Sequence, residues 1–80
     1  MNVQRAVALR TSKLLLQKNM TQYSLAKKML VPQNTVKHII DEEYQSIKFH
    51  TMIKIADAFD MTIQEFLDDE LFERQNLDVE

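Results

Sequence analysis

The sequence predicts an all-α fold, a compact bundle of five helices. Three observations lead there. First, the 80 residues contain no glycine and one proline, which leaves few of the turn signals that bound strands. Second, apolar residues recur at helical spacing in several separate stretches. Third, Thr62-x-x-Glu65 has the pattern of a capping box, a helix start in which side chain and backbone satisfy each other's orphan groups.

Each element follows in order. Residues 2–18 form the first expected helix, capped by Asn2. Val3, Val7 and Leu14 lie on its apolar stripe, with Ala6 and Leu9 beside it. Leu14-Leu15-Leu16 is wider than one face needs, so one of these leucines is expected outside the core. Asn19 is the expected left-handed exit residue in place of the missing glycine. Thr21 caps a second helix over about 22–29, with Leu25, Ala26 and Met29 facing inward. Pro32 turns the chain, because it biases Val31 away from the α region. A third helix covers 33–41, with Val36, Ile39 and Ile40 on its apolar side. Residues 42–47 show no period and read as a loop. A fourth helix over 49–59 carries Met52, Ile55, Ala56 and Phe59. Asp60-Met61 turns the chain, and Thr62 opens a fifth helix with Ile63, Phe66 and Leu67 inward. Residues 68–80 are acid-rich, either a continuation of the fifth helix or a frayed end. Leu71, Phe72 and Leu77 within them suit a core extension or a subunit contact equally. The expected organisation is therefore one domain over 1–67 with an acidic helical extension or tail over 68–80.

Composition narrows the function. Apolar content of 45% and charged content of 28% fit an ordinary soluble domain. Cysteine is absent, which excludes disulfides and thiolate metal sites. No apolar run approaches the ~18 residues of a membrane span, and Arg5 and Arg10 interrupt any signal-peptide core. A cytoplasmic location is expected. No catalytic set is visible: His38 and His50 lack a nucleophilic partner, and glycine-rich phosphate loops are impossible without glycine. No enzymatic activity, metal or cofactor is expected. Asp68-Asp69-Glu70 reads as a solvated acidic face.

The charge pattern points elsewhere. Residues 1–40 hold seven Lys or Arg and no acid, a charge of +7. Residues 41–80 hold twelve acids and three Lys or Arg, a charge of −9, and the two halves give the net −2. Such segregation implies one side facing a polyanion and one acidic side, or two halves that attract each other within the fold.

From Met20 to Leu67 the chain resembles the phage-repressor and Cro-like helix-turn-helix family, the XRE family. The residues that carry the resemblance are Met20-Thr21-Gln22, Leu25-Ala26, Val31, Thr35-Val36, Ile40, the run Lys54–Phe59 and the run Met61–Leu67. Ala26 marks a close helix crossing, Val31 plugs the turn, and Val36 and Ile40 stand one turn apart on the core side. The sequence departs from the family at four positions. Leu30 and Glu42 stand where glycine is usual, Ile47 where proline is usual, and Leu15 where arginine is frequent. At Leu30 the turn must either avoid positive φ or tolerate strain. At Glu42, three consecutive acids gather at the C-terminal end of the reading helix, an end the helix dipole makes unfavourable for negative charge.

The resemblance implies a lambda-repressor-like domain that places helix 33–41 in the major groove of double-stranded DNA. It assigns base contacts to Gln33, Asn34, Lys37 and His38. Gln and Asn pair with adenine and Lys with guanine, although His38 also reads as a surface histidine. Phosphate contacts fall to Gln22 through its helix-start N–H, and to Thr35, Tyr44, Gln45, Lys48 and Arg10. Thr35 alternatively caps locally, and Tyr44 alternatively packs on the core. Lys13 and Lys18 add positive charge from the first helix. The expected protein is a sequence-specific, repressor-like transcriptional regulator that acts as a homodimer on paired half-sites. A protein partner held by the acidic C-terminal region is a further expectation. The alternative is an adaptor or antirepressor that keeps the fold without DNA affinity.

Overall fold

In the computed structural model, which describes residues 1–78, Asn2 Oδ1 accepts the Arg5 N–H at 2.8 Å and opens α1, Val3–Gln17. Then come α2 (Gln22–Met29), α3 (Gln33–Ile40), α4 (Phe49–Ala58) and α5 (Ile63–Leu67). Two 3₁₀ turns follow, Glu70–Phe72 and Arg74–Asn76. Among the described residues every regular element is helical, and each expected helix forms within a residue or two of its expected bounds.

The local reasons match the sequence. Thr21 accepts the Ser24 N–H at 3.0 Å and starts α2. Thr62 and Glu65 form the full capping box: the Thr62 N–H donates to Glu65 Oε1 at 2.9 Å, and the Glu65 N–H donates to Thr62 Oγ1 at 3.1 Å. Four helix exits use a left-handed residue without glycine. These are Asn19 (φ 54°), Leu30 (φ 60°), Glu42 (φ 57°) and Asp60 (φ 58°). Each exit closes with the same pair of bonds. After α2, the Val31 N–H reaches the Ala26 carbonyl at 3.1 Å and the Leu30 N–H reaches that of Lys27 at 3.2 Å. After α3, the Glu43 N–H reaches His38 at 2.9 Å and the Glu42 N–H reaches Ile39 at 3.2 Å. The turn thus tolerates strain at Leu30 rather than avoiding positive φ, and Glu42 holds the position where the family places glycine.

The core lies where α1, α2, α3 and α4 meet under α5. Phe59, Phe66, Leu25, Ile55, Val7 and Val36 are its largest fully enclosed apolar side chains. Ala26 is buried among them, as its close crossing requires. The buried side of α1 differs from the expected stripe. It runs through Ala6, Val7, Ala8, Arg10, Thr11, Leu14 and Leu15, whereas Val3 and Leu9 are each 40% exposed. Thr11 is accommodated there because its hydroxyl donates to the Val7 carbonyl at 2.7 Å. Leu16 is the leucine left outside, at 84% exposure.

Residues 68–78 neither continue α5 nor fray. Phe72 packs against the core, its ring 5.9 Å from that of Phe66, so this residue takes the core-extension role. The first 3₁₀ turn lies against α1. The Asp78 N–H donates to the Met1 carbonyl at 2.8 Å. Among the described residues no helix is long and apolar enough to cross a membrane.

Candidate nucleic-acid interface

Val36 and Ile39 are buried and anchor α3 against the core. That leaves Gln33, Asn34 and Lys37 exposed and His38 half-buried on the outer side. Gln33, Lys37 and Asp41 are spaced four apart, so they form one stripe along the helix surface. Gln33 and Asn34 occupy its first turn, which has no side-chain cap. This end therefore presents two amide side chains and unpaired backbone N–H groups together.

Toward the other end, the stripe is neutralised by acids. Lys37 Nζ stands 2.7 Å from Asp41 Oδ2. The hydrogen bond that Lys37 donates to Asp41, and then the charges of Asp41 and Glu43, raise the Lys37 pKa above the ordinary lysine value. His38 Nε2 lies 3.1 Å from Glu43 Oε2, and its ring meets Tyr44 edge-on at 5.8 Å. Tyr44 is thus tied to α3 by an aromatic contact while remaining exposed. Glu42 reaches back to Arg5 of α1, at 3.6 Å.

The loop after α3 and the start of α4 shape an open groove of about 240 Å³. Thr35, Ile39, Tyr44, Ser46, Ile47, Lys48 and Thr51 line it. Three of the residues expected at phosphate, Thr35, Tyr44 and Lys48, therefore come together on one surface. Lys48 is the N-cap of α4 and gives no side-chain cap bond. A cation at this end is opposed by the helix dipole, so an anion seated there would relieve both. Gln45 is exposed on the same loop but outside the groove, and Gln22 is half-buried as the first residue of α2. Ser46 and Thr51 are further hydroxyls that sequence reasoning left out. The signal available for Thr51 was its place three residues after Lys48, in the first turn of α4.

Arg10 does not join this surface, which corrects its expected phosphate role. Its guanidinium is buried: Nε donates to the Phe66 carbonyl at 2.8 Å and Nη2 to that of Glu65 at 3.0 Å, while Nη1 pairs with Asp69 at 3.2 Å. A guanidinium turned inward onto two carbonyl oxygens cannot meet a phosphate. Lys13 also bonds Asp69, at 2.8 Å. The pairs Arg5–Glu42, Arg10–Asp69, Lys13–Asp69 and Lys37–Asp41 all join the basic half of the chain to the acidic half. Much of the charge segregation is thus spent inside the fold. Lys18, Lys27 and Lys28 stay exposed, and Lys27 covers the Tyr23 ring at 5.5 Å.

No curated protein and no solved structure matches the chain. A family model does match, over residues 10–71, and these span the helix pair α2–α3, the groove and the core around Phe66. The chain belongs to the family of Cro/C1-type HTH DNA-binding domains.

Proposed function

We propose that the protein is a sequence-specific, repressor-like transcriptional regulator that reads the major groove of double-stranded DNA with residues 33–41. The observation that carries this reading is the exposed first turn of α3. There Gln33 and Asn34 stand free of the core on a helix pinned by Val36 and Ile39. Gln33 and Asn34 contact base edges, Lys37 reaches a base or phosphate, and His38 lies at the margin. Gln22 through its backbone N–H, and Thr35, Tyr44, Gln45 and Lys48, hold the phosphates on either side. A single module of this kind buries about 600–1,000 Å² on DNA, too little for tight specific binding alone. The protein therefore acts as a homodimer on half-sites about 34 Å apart.

The test is selection of duplexes from a random-sequence pool at low salt. An inverted repeat is expected to be enriched, and Gln33→Ala should relax preference at one position per half-site by about 1–3 kcal/mol. Retention of no duplex at low salt would leave the adaptor reading, in which the exposed acids Asp68, Glu70 and Glu73 face a protein partner.

A further inference from the structure

Three consecutive acids, Asp41, Glu42 and Glu43, follow the last turn of α3. Each meets a different basic group: Lys37 at 2.7 Å, Arg5 at 3.6 Å and His38 at 3.1 Å. Asp41 lies on the same stripe as Gln33 and Lys37, so a duplex laid along that stripe meets the carboxylate as well as the lysine. Glu42 keeps its place although its φ of 57° is one that glycine fills without strain. Helix stability does not explain the run, because a helix C-terminus disfavours negative charge.

We propose that Asp41, Glu42 and Glu43 form an electrostatic brake that withholds Lys37, Arg5 and His38 from phosphate and keeps affinity for non-cognate duplex low. The inference rests on the DNA-binding reading above. On a random duplex only the phosphates attract, so the acids oppose nearly the whole interaction. On a cognate duplex, base contacts from Gln33 and Asn34 add a part the acids do not touch. The brake thus lowers affinity for cognate and random duplexes by a similar factor, and the base contacts alone set the ratio between them. Asp41 has the largest share, because its bond to Lys37 is the shortest and lies on the reading helix itself.

Fluorescence anisotropy with the selected duplex and a random duplex, titrated across salt, tests this. Asp41→Asn should raise affinity for random duplex at least about threefold at low salt. It should steepen the slope of log affinity against log salt by up to about 0.9, one added phosphate contact. It should raise cognate affinity by a similar factor and leave the cognate-to-random ratio unchanged. Adding Lys37→Met to Asp41→Asn should cancel the gain. Glu73→Gln makes the same charge change on the C-terminal segment and should produce little. Equal gains from Glu73→Gln would reduce the effect to net charge and overturn the brake, as would a gain that survives Lys37→Met. Wild-type binding with no change in Asp41→Asn overturns the brake alone. Absence of duplex binding by wild type and every variant overturns the DNA-binding reading as well.

Discussion

Arg10 Nη1 stands 3.2 Å from Asp69 Oδ2, with the two side chains only 8% and 7% exposed, and the pair fastens the C-terminal segment to α1. The guanidinium is further held by the Phe66 and Glu65 carbonyls and lies 5.8 Å from the centre of the Phe66 ring. Asp69 is held in turn by Lys13, and its Oδ1 accepts the Leu71 N–H at 3.0 Å. A single carboxylate thus gathers one helix and one 3₁₀ turn.

Removing that charge should weaken the fold. Asp69→Asn is expected to lower unfolding free energy by about 1.5–3 kcal/mol in urea, the range for hydrogen bonds to a charged group. The Lys13 hydrogen bond, then that from Leu71, holds the Asp69 carboxyl below the usual carboxylate range. A folded pKa below the unfolded one, about 3.9, adds stability that is present above that value and is lost as pH falls through the folded pKa. Wild type should therefore lose its advantage over Asp69→Asn below about pH 4. Two parallel stability curves from pH 7 to pH 3 would show that Asp69 has no such role.

This network marks where sequence reading stops. Arg10 lies 56 residues from Phe66 and 59 from Asp69, and an arginine on a helix reads as a solvated cation until its partner's place is known. Thr11 escapes for a related reason, since its bond to the carbonyl four residues back makes a polar side chain compatible with the core. Helix starts are legible because caps and capping boxes act within three residues. The outer side of α3 is legible because Val36 and Ile39 define the inner one. The Lys37–Asp41 pair is one helical turn apart and readable in principle, whereas Arg5–Glu42 depends on how α1 crosses α3. The groove at Lys48 arises only when the loop folds back over Ile39.

The left-handed exit of α2 yields a second prediction. Leu30 has φ 60° and is 89% exposed, so its side chain contributes little packing while its Cβ is strained. The left-handed conformation costs a branched L-residue roughly 1–2 kcal/mol, and glycine's extra unfolded-state entropy offsets about half of that. Leu30→Gly should stabilise the protein by about 0.5–1 kcal/mol, and Leu30→Ala, which keeps the Cβ, should change little. A lower Tm for Leu30→Gly than for Leu30→Ala would mean the exit is not strained.

Lys48 separates binding from stability. As N-cap of α4 it places positive charge at the positive end of a helix, without a side-chain bond to the first turn. Lys48→Ala should therefore leave thermal stability unchanged or raise it by a few tenths of a kcal/mol. Under the proposed function, the same side chain meets a phosphate beside Thr35 and Tyr44. Its loss should weaken cognate and random duplexes by the same factor, because phosphates carry no sequence information. With ~5 phosphates neutralised per site, the wild-type slope of log affinity against log salt should be near −4 to −5, and Lys48→Ala should bring it closer to zero by about 0.9. A variant that binds with the wild-type slope would place Lys48 off the DNA. A variant that weakens only the cognate duplex would instead make it a base reader.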